Sequence, residues 1–264
     1  MITRSETKTD DFVSFCDGVR AICQVDLSQY KRGQMERRVR SFAERKGITD
    51  LGQYLLLLRR SSDEVDEFLD RVTINVSQLW RNPEQWTLLG DKVLPELAED
   101  GRLRCWSAGS SYGAEAYTLA AVAAQIAPKA TTSIQGTDID RRMVARAREG
   151  FFTVDDARTA PRRQLDRWFE EAPGGYQAKP ELKRVVRFEV GDLLRLQPKR
   201  GAYDLVLCRN TVIYFNEDVR DALHARLAES LRPGGYLMVG STERVSNAAD
   251  LGLAPAHPFT YRKT

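Results

Sequence analysis

The stretch Leu103-Arg104-Cys105-Trp106-Ser107-Ala108-Gly109-Ser110-Ser111-Tyr112-Gly113-Ala114-Glu115 runs from an apolar strand, through a glycine- and serine-bearing turn, into an alanine-rich helix. Such a turn lets a ligand approach the backbone closely, just beyond the carboxyl end of a strand, where open α/β sheets bind their ligands. Asp138 ends the next apolar segment. A carboxylate there accepts hydrogen bonds from both hydroxyls of a ribose and repels a 2′-phosphate. The glycine spacing is not GxGxxG, which disfavours a nicotinamide dinucleotide; a glycine turn plus an acid suits any adenosine ligand. Gly109 and Gly113 would equally serve a plain tight turn, and either Asp138 or Asp140 could cap the helix that follows. The third chemical stretch is Cys208-Arg209-Asn210-Thr211-Val212-Ile213-Tyr214-Phe215, in which polar Arg209 and Asn210 end an apolar strand and a phenol follows at the mouth of the sheet.

These groups need a scaffold of strands that alternate with helices. The pattern predicts strands over Leu103–Ser107, Thr132–Thr137, Asp204–Cys208 and Tyr236–Gly240. It predicts helices over Ala114–Ile126, around Met143–Arg148 and over Asp218–Leu231, the last closed by Pro233-Gly234-Gly235. That alternation indicates an α/β fold with a parallel sheet. Between Pro161 and Phe188 it breaks. Gly174-Gly175-Tyr176 reads as a hairpin turn flanked by strands over Gln177–Ala178 and Val185–Phe188, a small β insertion spanning about 161–190. Ahead of the sheet, apolar residues recur at helical spacing: Phe12, Phe15, Val19 and Ile22, then Tyr30, Met35, Val39 and Phe42 up to Gly47, then a helix opened by Thr49-Asp50 and a fourth over Asp63–Arg71. The expected division is an all-α domain over residues 1–80 and a sheet domain over 81–264.

At 264 residues and 42% hydrophobic content the chain can bury one large core or two modest ones. The net charge of +3 is too small for the field of a typical nucleic-acid binder. Basic residues nevertheless crowd Lys31, Arg32, Arg37, Arg38, Arg40, Arg45 and Lys46. The four cysteines, Cys16, Cys23, Cys105 and Cys208, form no CxxC pair, so no metal site is expected and buried free thiols are. No apolar run is long enough to span a membrane, so a cytoplasmic protein without membrane insertion is the expectation, with a monomer as default.

Taken together, the motifs resemble the chemotaxis receptor methyltransferases, the CheR-type family of glutamate O-methyltransferases. That family carries a strand and turn close to W-S-A-x-S-x-G-x-E-x-Y, then T-D-I-D, then C-R-N-x-x-I-Y-F, then P-G-G-Y-L-x-V-G-x-x-E. Here they stand at Trp106 to Tyr117, Thr137 to Asp140, Cys208 to Phe215 and Pro233 to Glu243, in the same order. The helical segment and its basic second helix are also similar. A junction motif, Asn-x-Thr followed by two aromatics and an arginine, corresponds to Asn75-Val76-Ser77-Gln78-Leu79-Trp80-Arg81. Ser77 lacks the methyl, Leu79 replaces an aromatic, and Ala114 stands where the family has the first glutamate of a pair whose second is Glu115.

The resemblance implies a Rossmann-like class I methyltransferase sheet domain that binds S-adenosylmethionine and releases S-adenosylhomocysteine. It implies as partner the cytoplasmic helical bundle of a methyl-accepting chemoreceptor, and as product a glutamate methyl ester. It assigns Arg81 to orienting the substrate carboxylate and Tyr214 to a hydrogen bond at the reacting centre. It assigns Asn75, Ser77, Arg81, Glu115, Asp138, Asp192, Leu193, Arg209 and Asn210 to the cofactor, with Asp192 and Leu193 replacing an Asn-Leu pair near the adenine. Arg37, Arg38 and Arg40 form either a solvated face or a docking face for an acidic bundle. Two rivals remain. One is a methyltransferase for a small molecule or nucleic acid, disfavoured by Arg209-Asn210-Thr211-Val212 where a base methyltransferase carries Asn/Asp-Pro-Pro-aromatic. The other is a catalytically weakened cofactor-binding scaffold, motivated by Leu79, Ala114 and Asp192.

Overall fold

The computed structural model describes residues 10–72 and 76–264. These fall into two compact units: the described residues up to Val72 together with Tyr214–Asn216, and those from Val76 to Ile213 and Glu217 to Thr264.

The first unit is helical: α1 (Asp11–Cys23), a 3₁₀ turn (Leu27–Gln29), α2 (Arg32–Arg45), α3 (Leu51–Arg60) and α4 (Ser62–Val72). Asp10 and Asp50 cap α1 and α3 by accepting the Phe12 and Gln53 N–H groups, at 3.0 and 2.8 Å. Tyr54 organises the core. It stacks on Phe15 at 5.9 Å and meets Phe42 and Phe68 edge-on at 6.1 and 6.0 Å, each pair adding about 0.5–1.5 kcal/mol beyond area burial. Gly18 lets α1 lie against α3, since a Cβ there would overlap Leu55. Tyr30, expected in the second helix, lies one residue before the Lys31 cap. Its backbone forms an isolated antiparallel bridge with Phe215 and its ring packs on the Phe215 ring at 4.9 Å. That tertiary pairing overrides the helical spacing of its side chain.

The second unit opens with α5 (Pro83–Leu88), a π turn (Leu89–Val93) and α6 (Leu94–Leu97). Pro95 has no N–H to give the preceding turn, so the wide turn sits where a helix would otherwise lose a hydrogen bond. There follow β1 (Arg102–Ala108), α7 (Ala114–Ile126), β2 (Thr131–Asp138), α8 (Arg141–Glu149), β3 (Phe151–Thr153), α9 (Arg162–Trp168), β4 (Phe169–Ala172), β5 (Gly175–Ala178), α10 (Pro180–Val185), β6 (Val186–Val190), β7 (Tyr203–Cys208), α11 (Glu217–Ser230), β8 (Leu231–Val239), β9 (Leu253–His257) and β10 (Thr260–Lys263). Seven strands form one sheet in the order β6-β2-β1-β7-β8-β10-β9. The first five are parallel, and the C-terminal hairpin adds two antiparallel strands. Strand order reverses between β1 and β7, and the crevice beyond their carboxyl ends is where such sheets bind ligands.

The β insertion differs from expectation. Gly174-Gly175 does turn a hairpin, but its strands are β4 and β5, and β3 completes a three-stranded antiparallel sheet. The segment expected as a flanking strand over Val185–Phe188 instead supplies β6, the outer strand of the main sheet, paired in parallel with β2 from Ile134↔Val186 to Asp138↔Val190. Short strands beside a glycine turn read alike whether they pair locally or across the sheet, because periodicity does not encode a partner. No helix of the described residues is long and apolar enough to cross a membrane.

Candidate cofactor site and basic groove

The glycine turn after β1 and the polar end of β7 meet in the crevice. Gly109 has φ +80°, and a Cβ there would overlap the Thr211 side chain, so the two chain segments are in direct contact only because residue 109 is glycine. Gly109 and Ser110 both donate their N–H groups to the Thr137 carbonyl, at 2.9 and 3.0 Å, tying the turn to the end of β2.

Asp138 closes β2 there. Its carboxylate accepts the Ser111 and Asp140 N–H groups, at 2.7 and 3.0 Å. Of the two acids it is Asp140 that caps the helix, accepting from Arg142 and Met143. Burial pushes the Asp138 carboxyl up to about 6, against the pull of its backbone donors. A desolvated carboxylate gains from further donors, and a ribose offers two hydroxyls. In the same turn Ser110 Oγ is buried without a partner among the described residues. The residues therefore fit a nucleoside with vicinal hydroxyls.

Below the crevice lies an ionic hub. Arg209, with a side chain 2% exposed, donates Nε to Gln85 at 2.8 Å and Nη1 to Glu115 at 3.3 Å. Its Nη2 donates to the Arg81 carbonyl at 2.8 Å and to Asn82 Oδ1 at 3.3 Å. The guanidinium lies over the Trp86 ring at 5.1 Å. Glu115, in the first turn of α7, also accepts the Ser107 hydroxyl at 2.7 Å. Burial raises its carboxyl while Arg209 and Ser107 hold it down. Every guanidinium nitrogen of Arg209 is thus engaged by protein, and what Arg209 offers a ligand is its backbone.

Arg81 sits between two residues with left-handed φ, Trp80 at 56° and Asn82 at 57°. Its carbonyl is gripped by Arg209 and by Trp86 Nε1, the latter at 2.9 Å. Its own guanidinium makes one hydrogen bond among the described residues, Nη1 to the Val76 carbonyl at 2.8 Å. The Ser77 carbonyl accepts the Tyr112 hydroxyl, and Leu79 is fixed by Asp156 and Thr159. Asn75 lies outside the described residues. Leu79 and Ala114 are both fully buried, so these two departures from the family pattern are core side chains. Asp192 and Leu193 follow β6. Asp192 accepts the Leu194 N–H at 2.9 Å and pairs with Arg195 at 3.4 Å, while Leu193 is buried.

One residue that sequence reasoning gave no role is Glu243. Its Oε2 accepts the Asn210 N–H at 2.8 Å and the Gly240 N–H at 2.6 Å. The only sequence signal was its place at the end of the Pro233-to-Glu243 motif.

In the helical unit, Gln34, Arg37, Arg38, Ser41, Phe42 and Arg45 of α2, with Arg71 of α4, line a groove of about 380 Å³. The basic cluster divides here. Arg32 pairs with Asp10 and Glu36, Arg40 with Asp11 and Glu36, and Lys46 with Glu64 and Glu67. Arg37, Arg45 and Arg71 have no ion pair among the described residues. Arg40, read with Arg37 and Arg38 as either a solvated or a docking face, is already paired with Asp11 and Glu36. Tyr214 belongs to this unit. Its carbonyl accepts the Lys31 N–H at 2.9 Å, Asn216 N–H donates to Gln29 at 2.9 Å, and Arg38 stands over the Tyr214 ring at 5.7 Å while donating to the Val72 carbonyl at 2.7 Å.

Comparison with known proteins identifies the family. Residues 75–255 match the family model for the CheR methyltransferase SAM-binding domain, and residues 10–73 match its all-alpha domain. A chemotaxis protein methyltransferase of Listeria monocytogenes is 36% identical over 96% of this chain and 97% of its own length. Chemotaxis protein methyltransferase 1 of Pseudomonas aeruginosa is 31% identical over 91% and 92%.

Proposed function

The chain belongs to the CheR methyltransferase family, whose cofactor is S-adenosylmethionine, and we propose that it methylates glutamate side-chain carboxylates on an acidic helical segment of a chemoreceptor, in the cytoplasm. The observation that carries the choice of substrate is the groove in the helical unit, where Arg37, Arg38, Arg45 and Arg71 converge while the neighbouring basic residues are already paired. Unneutralised arginines on a protein of net charge +3 favour an acidic partner and speed its encounter.

The chemistry asks little of the protein. The cofactor supplies a methyl group already activated by a sulfonium charge. A substrate glutamate is ionised at neutral pH, given a reference pKa near ~4.3, so no general base is required. The side chains bind, orient and exclude water. Asp138 accepts the ribose hydroxyls; Ser77, Glu115, Asp192, Leu193 and Asn210 complete the cofactor site, with Arg209 contributing its backbone and Asn75 carried over from the family pattern. Arg81, with guanidinium nitrogens to spare among the described residues, orients the substrate carboxylate, and Tyr214 donates a hydrogen bond at the reacting oxygen. Reading Leu79 and Ala114 as signs of a weakened enzyme loses support, because both side chains pack into the core.

Mass-spectrometric mapping of a chemoreceptor cytoplasmic fragment after incubation with the protein and S-adenosylmethionine tests the substrate. Methylated glutamates in its helices are expected. Methylation confined to lysine, cysteine or another side chain would refute the proposal.

A further inference from the structure

The motif that ends at Glu243 has so far been given no function. Glu243 is buried, on the loop that follows β8. Its Oε2 bridges two backbone donors, Asn210 N–H on the loop after β7 and Gly240 N–H at the end of β8. Among the described residues Oε1 is buried with no hydrogen bond of its own, and the N–H groups of Val212 and Ile213 also favour the charged carboxylate. Two backbone N–H groups, of Asn210 and Gly240, thus hydrogen-bond one carboxylate, and those of Val212 and Ile213 favour its charge. Such an arrangement of main-chain donors is an anion nest, and here the anion is built into the chain.

The fit is close. A Cβ at Gly240 would lie 2.6 Å from Glu243 Oε2, 2.9 Å from Asn210 N and 3.0 Å from Asn210 Nδ2, so only glycine lets the three groups approach. Asn210 itself has φ 59°, in the left-handed region that asparagine adopts more readily than other non-glycine residues. Glu243 accepts the N–H of this left-handed residue.

We propose that Glu243 is a positioning residue: by filling the nest it locks the Asn210–Ile213 turn, fixing the backbone that faces the cofactor and the chain that leads directly into Tyr214. This rests on the cofactor and Tyr214 assignments above. Glu243 touches neither cofactor nor substrate in this role; it acts through Asn210 and through Val212-Ile213. Burial raises the Glu243 carboxyl and these four N–H groups oppose that shift, as expected of a charge retained for what it organises.

The two halves of the lock can be separated. In Glu243→Gln, the amide oxygen can still accept from Asn210 and Gly240, but the negative charge that the Val212 and Ile213 N–H groups favour is gone. In Glu243→Ala, both halves are lost. The experiment compares wild type, Glu243→Gln and Glu243→Ala for S-adenosylhomocysteine affinity by calorimetry, for kcat at saturating cofactor, and for hydrogen exchange at the Asn210–Ile213 amides. Glu243→Ala is expected to speed exchange at those amides and to lose about tenfold or more in both affinity and kcat. Glu243→Gln is expected to recover most of the affinity while kcat stays low. Unchanged exchange at Asn210–Ile213, or wild-type affinity in Glu243→Ala, would overturn the proposal, as would Gln and Ala behaving alike in every readout. If wild type binds S-adenosylhomocysteine but methylates no receptor glutamate, the substrate reading fails alone, and exchange and affinity still decide the role of Glu243.

Discussion

Glu115 and Arg209 form an ion pair at 3.3 Å between side chains 11% and 2% exposed, joining the first turn of α7 to the end of β7 across the point where the strand order reverses. The pair makes the crevice floor a single piece, because Arg209 also holds Gln85, Asn82 and the Arg81 carbonyl. Removing one partner strands the other. Glu115→Ala should cost about 3–5 kcal/mol in denaturant unfolding, since the remaining guanidinium is buried without its counter-ion. Glu115→Gln should cost less, and both should weaken S-adenosylhomocysteine binding.

The proposed contact of Asp138 with the ribose predicts pH-dependent cofactor binding. Its carboxyl sits at about 6 in the free protein, and donors from a ribose favour the ionised form. Affinity for S-adenosylhomocysteine should therefore fall as pH drops below about 6 and be flat above about 7. Asp138→Asn should remove that dependence and weaken binding by about tenfold to a hundredfold, the loss of charge-assisted hydrogen bonds. Calorimetry across the pH range reads both effects.

His224 and Asp138 tilt stability in opposite directions. His224 is fully buried, neither ring nitrogen has a hydrogen-bond partner among the described residues, and burial lowers it to about 4 from 6.5. The unfolded chain binds the proton more readily, so His224 makes stability fall as pH drops from about 6.5 to 4. Asp138 is raised in the folded state, so its contribution to stability falls as pH rises from about 4 to 6. Each shift corresponds to about 3 kcal/mol. His224→Leu should flatten acid sensitivity, and Asp138→Asn should steepen it, in urea denaturation at pH 4 and pH 7.

Gly109→Ala should damage the crevice without touching a ligand directly. The new methyl must enter the Thr211 side chain at a left-handed φ. Binding of S-adenosylhomocysteine should drop by about tenfold. Adding Thr211→Ala should recover part of the loss, and only part, because the backbone strain remains.

The fold class and the strand–turn–helix that borders the crevice were legible from residues alone. The strand–turn–helix at Gly109 and the acid at Asp138 are local signals, and each element carries its own periodicity. Partners were not legible. Nothing in Val186–Val190 says that it pairs with β2 rather than with the hairpin at Gly174, and nothing in Tyr30 says that it leaves its helix for Phe215. Arg40 could not be separated from Arg37 and Arg38 until Asp11 and Glu36 were seen beside it. Arg209 was placed at the cofactor as a residue, whereas its guanidinium turns inward to a hub built from positions far apart in sequence. Glu243 went unassigned because its role is to accept backbone N–H groups, which no side-chain motif announces.

Charge reversal in the groove should separate docking from chemistry. Arg37→Glu or Arg45→Glu should raise KM for a receptor fragment and reduce its salt dependence, with affinity for S-adenosylhomocysteine unchanged. Steady-state kinetics at two ionic strengths, with calorimetry alongside, checks this.

The most direct test of carboxyl methylation is the fate of the transferred group. Receptor fragment labelled from methyl-labelled S-adenosylmethionine is treated with alkali, which hydrolyses carboxyl methyl esters and leaves N-methyl groups in place. Release of the label as volatile methanol, lost when Arg81 is replaced by Ala, is the predicted result. Label that stays on the protein through alkali, or fragment that takes up none, would contradict it.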